Sequence, residues 1–163
     1  MQKKVLFVLT LAIGIAFVWS CSKSSTGSST CEVVPPANEK AAIQAYIAEK
    51  DLEGVQFDES GLFYQISDPG IGGSPNLSSK IYIKYKGYLT DGTVFDEQTD
   101  PSQTGWVLGT LINGWKIGLP KLKKGGKMKL IVPSALGYGC RGSGATIPPN
   151  SVLVFDVELS DYE

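Results

Sequence analysis

Lys80-Ile81-Tyr82-Ile83-Lys84-Tyr85-Lys86-Gly87-Tyr88-Leu89 alternates apolar and polar residues along its length. Ile81, Ile83 and Tyr85 fall on one side and Tyr82, Lys84 and Lys86 on the other, the period of a strand with one face buried. Thr90-Asp91-Gly92 supplies a turn into Thr93-Val94-Phe95-Asp96, so the stretch predicts a β-hairpin. Working outward, Leu62-Phe63-Tyr64-Gln65-Ile66 predicts a short strand closed by Asp68-Pro69-Gly70. Lys127 to Val132 alternates with Met128, Leu130 and Val132 inward, and Ser151 to Leu159 sets Leu153, Phe155, Val157 and Leu159 on one face. Asn113 to Leu119 predicts a brief helix capped by Asn113, which Pro120 must end or kink. The expected fold is α+β: a curved antiparallel sheet of five to six strands, a half-barrel, wrapping one short helix.

Composition narrows the chemistry. The 163 residues are 42% apolar and 19% charged, a globular balance, with 15 basic and 16 acidic side chains and a formal charge of −1. That balance gives no electrostatic case for nucleic acid, which wants a basic excess. There is no histidine, which excludes Ser-His-Asp and Cys-His catalysis, histidine-bearing zinc sites and histidine pH switches.

The amino terminus carries a different signal. Lys3 and Lys4 precede an apolar run from Val5 to Trp19 that ends at Ser20-Cys21. At about 1.5 Å per residue the run falls short of the ~30 Å hydrocarbon core, so residues 1–20 read as a secretory signal rather than a span. Residues 21–36 read as a flexible tether, rich in serine and threonine up to Thr30 and ending at Pro35-Pro36. A helix is expected over residues 37–53, with Asn38 as N-cap, Ile43, Tyr46 and Ile47 on one face, and Gly54 ending it. Two arrangements stay open for it: docked on the domain, or a spacer.

Five motifs then stand in register: Lys84-Tyr85-Lys86-Gly87-Tyr88-Leu89 with Asp91-Gly92-Thr93-Val94-Phe95-Asp96; Ile112-Asn113-Gly114-Trp115; Leu136-Gly137-Tyr138-Gly139; Ile147-Pro148-Pro149-Asn150; and Leu153-Val154-Phe155-Asp156-Val157-Glu158-Leu159. In this order and spacing they resemble the FKBP-type peptidyl-prolyl isomerases, over residues 60–162. The resemblance implies an isomerase that twists X–Pro amides of unfolded or exported proteins, with a binding module or holdase of little turnover as the alternative. It implies no cofactor and no metal, and tacrolimus-like macrolides as further ligands.

The resemblance also assigns roles. Trp115 matches the pocket floor beneath the proline ring; Tyr85, Phe95 and Phe155 match aromatic walls, and Leu111 and Ile112 the aliphatic side. Ile147 matches the residue whose backbone N–H receives a substrate carbonyl, Tyr138 offers a phenol, and Asp96 lies beside Tyr85 near the twisting amide. Trp106 stands where the family has a phenylalanine-rich segment and supplies the aromatic there. Aromatic residues at alternating strand positions are otherwise ordinary core, so these roles rest on the motifs.

Val18-Trp19-Ser20-Cys21 resembles a bacterial lipobox. It implies lipid on Cys21 and a protein anchored to a bacterial membrane, facing the periplasm; an ordinary signal peptide is the other option. With Cys21 so used, Cys31 and Cys140 remain as an even pair in an exported protein. A disulfide between them would tie the end of the tether to the loop after Tyr138, and two unpaired thiols are the alternative.

Overall fold

The alternation at Lys80–Leu89 folds as a strand over those same residues in the computed structural model, which describes residues 31–163. The expected signal segment, Cys21 and the expected tether up to Thr30 lie outside the described residues. The elements in chain order are α1 (Pro36–Glu49), β1 (Gln56–Phe57), β2 (Phe63–Asp68), β3 (Lys80–Leu89), β4 (Val94–Gln98), β5 (Trp106–Val107), α2 (Asn113–Gly118), β6 (Lys127–Val132) and β7 (Leu153–Tyr162). All seven strands form one antiparallel sheet in the order β1-β2-β6-β7-β3-β4, with β5 paired to β3. The α+β half-barrel is as expected. The two additional strands, β1 and β5, are two residues each and too short to carry a period.

The inner face of the sheet carries the main core. Ile81 and Ile83 of β3, Met128, Leu130 and Val132 of β6, and Leu153, Phe155, Val157 and Leu159 of β7 are buried there against α2. A Cβ on Gly114 would collide with the Val132 side chain, so the bare glycine lets α2 seat directly on β6. Pro120 acts as expected. The α-helix stops at Gly118 and the chain continues as one tight turn through Leu119–Lys121.

Both expected caps are corrected. Asn113 is the first residue inside α2, and Ile112 is its N-cap with no side-chain bond. In α1 the cap is Pro35, with Pro36 at the first helical position, where a missing N–H costs nothing and φ is already helical. Asn38 lies inside that helix, its N–H donating to the Pro35 carbonyl at 2.9 Å. The helix ends at Glu49 rather than running toward Gly54, because Asp51 turns left-handed at φ 49°.

Of the two arrangements open for this helix, it is docked. Ile43 and Tyr46 pack on the outer face of the sheet against Phe63, Ile131 and Val154. Strands β6 and β7 are therefore buried on both faces at this point. The entry of α1 is fixed by Glu39, whose Oε2 accepts the backbone N–H of Ser134 at 2.8 Å. This carboxylate also sits in the first helical turn, where the helix dipole favours negative charge. Among the described residues, no helix is long and apolar enough to cross a membrane.

Candidate functional site

Between α2, the inner face of the sheet and the loop after β6 lies a cavity of about 530 Å³. Its floor is Trp115, 4% exposed, delivered by the first turn of α2. Tyr85 from β3 and Phe155 from β7 meet the indole edge-on, each with ring centroids 5.2 Å away and interplanar angles of 76° and 78°. Trp106 from β5 lies nearly parallel to Trp115, at 6.5 Å and 30°. Phe95 from β4 abuts Phe155 edge-on at 5.5 Å. Edge-to-face contacts of this kind add about 0.5–1.5 kcal/mol each beyond area burial, and they fix ring orientation. The cavity is thus a rigid aromatic slot.

Polar groups sit at its edge. Tyr85 Oη donates to Asp96 Oδ2 at 2.6 Å, a charge-assisted bond that orients both groups. Burial first, and the Asp96 carboxylate second, push the Tyr85 phenol well above the ordinary tyrosine value. Tyr138, 40% exposed, has its phenol raised by the same two causes, burial ahead of the Asp96 charge. Its hydroxyl makes no hydrogen bond among the described residues, so it is free to donate to a ligand carbonyl. Ile112, just before α2, lines the cavity, and its backbone N–H likewise has no partner among the described residues.

The structure gathers Tyr85, Phe95, Asp96, Trp106, Leu111, Ile112, Trp115, Tyr138 and Phe155 around this one cavity. Ile147 is the exception. It is 5% exposed with its side chain in the core, and its N–H donates to the Ser143 carbonyl at 3.1 Å while its own carbonyl accepts from Ser143 at 2.9 Å. That donor is used within its own loop, whereas the N–H of Ile112, beside the cavity, has no partner among the described residues.

Val107 and Thr110 also line the cavity and carry no signal in the sequence beyond their place between Trp106 and Leu111. Gly87 is a further residue the site depends on. A side chain there would run into the rings of Phe95 and Phe155, so the aromatic wall requires a glycine beneath it. Among the described residues, no group of three or more His, Cys, Asp or Glu side chains is placed to hold a metal ion.

The raised phenol of Tyr85 has a consequence for stability. A folded-state value above that of the unfolded chain stabilises fully below about pH 10, and that contribution is lost as the pH rises further, because the unfolded chain ionises first. Urea midpoints compared at about pH 9 and about pH 11 are expected to fall, and Tyr85→Phe is expected to lessen the fall. An equal drop in wild type and variant would show that the phenol is not held in this way.

The half-barrel holds a cavity shaped for a compact apolar group between aromatic rings, with hydrogen-bonding groups at its edge. The family model described as FKBP-type peptidyl-prolyl cis-trans isomerase matches residues 72–160. The FKBP-type isomerase FkpA of Escherichia coli K12 is 46% identical over 112 residues, covering 68% of this chain and 41% of that protein. The FK506-binding protein of Neisseria meningitidis serogroup B is 39% identical over 102 residues, 61% of this chain and 94% of that one. The crystal structure of a peptidyl-prolyl isomerase from Pseudomonas syringae superposes with a TM-score of 0.67 at 30% identity, covering 81% of this chain and 98% of that one. The chain belongs to the FKBP-type peptidyl-prolyl cis-trans isomerase family. It spans less than half the length of the FkpA proteins it matches.

Proposed function

We propose that this protein is a peptidyl-prolyl cis-trans isomerase that assists the folding of exported proteins. The observation that carries the reading is the Trp115-floored cavity, rimmed by the Tyr85–Asp96 pair and by the free donors of Tyr138 and Ile112. Rotation about an X–Pro bond meets a barrier near ~20 kcal/mol because the amide loses resonance as it twists. No bond is made or broken, so neither nucleophile nor proton shuttle is required. The planar amide is more polar than the twisted one, so a slot of apolar rings disfavours the ground state relative to the transition state. The proline ring lies on Trp115, and the Tyr138 hydroxyl and Ile112 N–H hold the flanking carbonyls while the amide turns. Asp96, oriented by Tyr85, sets the electrostatic surroundings of the twisting group. Macrolides of the tacrolimus kind fit the same cavity, in line with the name of the Neisseria relative.

Acceleration of a slow, proline-limited refolding phase of an exported protein tests this function. Suppressed aggregation with no change in that phase would instead support the holdase reading.

We further propose that the mature chain begins at Cys21, carries lipid there and faces the periplasm from a bacterial membrane. The lipobox-like Val18-Trp19-Ser20-Cys21 and the polar tether support this, and several acyl chains together anchor a protein stably. Cys21→Ser is expected to move the protein from the membrane or detergent fraction to the aqueous one. A processed Cys21→Ser protein that still partitions with membranes would count against lipid as the anchor.

A further inference from the structure

The loop from Pro133 to Val152 carries Tyr138 into the cavity, and the hydrogen bonds that support it inside the loop are made by its backbone neighbours. Tyr138 has no side-chain hydrogen bond among the described residues and is among the more exposed of the large side chains. Before it, Leu136 and Gly137 N–H donate to the Pro133 and Ser134 carbonyls at 2.9 and 3.0 Å; after it, Asn150 N–H donates to the Gly139 carbonyl at 2.8 Å and Gly142 N–H to the same carbonyl at 3.3 Å. Gly139, Gly142 and Gly144 all have positive φ, so this part of the chain has much conformational freedom to lose on ordering.

Further restraint comes from outside, from the segment that precedes and opens α1. Glu39 takes the N–H of Ser134, at the start of the loop. Cys31 is disulfide-bonded to Cys140, with Cα atoms 5.3 Å apart, across 109 residues of sequence. Between these two attachments the segment runs beside the loop, so that Val33 stands against Gly139 and shares a shallow concavity with Tyr138. Tyr138 is thus bracketed: four residues after one clamp and two before the other. Because α1 is docked on the outer face of the sheet, both clamps are referred to the rigid core.

We propose that the Cys31–Cys140 bridge is a positioning device for Tyr138, fixing its phenol over the cavity before a peptide binds. The proposal rests on Tyr138 being a donor to the peptide. Ordering a group in advance lowers the cost of binding without adding a contact. Opening the bridge therefore weakens peptide binding and leaves the aromatic slot, where the amide turns, intact.

The test uses the full chain as purified from an oxidising compartment. Peptide mapping with a thiol label comes first, and free thiols at both Cys31 and Cys140 would overturn the proposal. Steady-state rates on an Xaa-Pro tetrapeptide are then compared for the oxidised protein, for Cys31→Ser/Cys140→Ser, and for wild type treated with dithiothreitol. That dithiol delivers two electrons and two protons, leaving two cysteine thiols and its own cyclic disulfide. Opening the bridge is expected to raise KM about three- to tenfold with kcat within about twofold. The same opening in a Tyr138→Phe background is expected to leave KM unchanged, because the hydroxyl through which the bridge acts is gone. An unchanged KM in the first comparison, or an equal rise in the second, would overturn the proposal, since a purely stabilising bridge acts the same in both backgrounds.

If the oxidised protein turns over no peptide, the isomerase reading falls while this one is still measured. The dissociation constant of the same tetrapeptide, followed by tryptophan fluorescence, then replaces KM in both comparisons. A peptide that does not bind at all overturns this proposal as well.

Discussion

Trp115→Ala is expected to lower kcat/KM for an Xaa-Pro peptide at least tenfold, a loss of about 1.4 kcal/mol or more of transition-state binding. The indole is the plane on which the other rings are set: Tyr85 and Phe155 both meet it edge-on, and Trp106 stacks beside it. Removing it opens the slot to water, which solvates the planar amide and erases the preference for the twisted one. The same truncation costs stability, about 3–5 kcal/mol for a buried aromatic residue. Rates are therefore to be read well below the variant's own melting midpoint. Trp115→Phe keeps an aromatic floor of smaller area and is expected to fall between wild type and alanine. A folded Trp115→Ala protein with full activity would show that the cavity is not where the amide turns. Asp96→Ala, which leaves the Tyr85 hydroxyl without its carboxylate, is expected to lower kcat/KM less than loss of the floor.

Ile43→Asp is expected to produce the largest loss of stability among single changes outside the cavity. Ile43 is 1% exposed and lies on Phe63, Ile131 and Val154, the outer surface of β2, β6 and β7. A carboxylate placed there meets apolar atoms on every side, and a buried charge without a partner costs far more than the methyl groups it replaces. Ile43→Ala alone is expected to cost about 2–5 kcal/mol, and the aspartate more. Hydrogen exchange separates local from global effects. Protection is expected to be lost in α1 together with β6 and β7, because the helix is part of the core. Unchanged protection in those strands, with only α1 released, would make the helix an accessory spacer.

The inner face of the sheet was legible because only one of its faces needs to be apolar for alternation to show. Met128, Leu130 and Val132, and Leu153, Phe155, Val157 and Leu159, stand in the phase the pattern predicts. The outer face was harder to see. Ile131 and Val154 fall between those residues, and their burial under α1 turns an alternating strand locally into a continuous apolar run. Leu130-Ile131-Val132 and Leu153-Val154-Phe155 were the signal, and read alone they leave open what covers the second face.

The walls of the cavity could be read from motifs because rings at fixed strand positions travel with the fold. Ile147 could not, because the availability of a backbone N–H depends on loop hydrogen bonds that no side chain announces. Its N–H closes on Ser143, whereas that of Ile112 is left free at the mouth of α2. The helix caps failed for a related reason. Asn38 and Asn113 are sound capping residues, yet Pro35-Pro36 and the bend at Ile112 set the first helical turns before either could act. Gly87 stood within a quoted motif, but its necessity lies in the rings of Phe95 and Phe155 that close over it.

Catalysed rotation of the Xaa-Pro bond is measured most directly by coupling a protease to a tetrapeptide that it cleaves only when that bond is trans. The trans fraction is consumed at once and the remaining cis fraction is released at the rate of isomerisation. The expected result is a first-order cis phase whose rate rises linearly with protein concentration, with a slope that drops at least tenfold in Trp115→Ala. A cis phase that stays at the uncatalysed rate, even with folded protein at the peptide's own concentration, would contradict it.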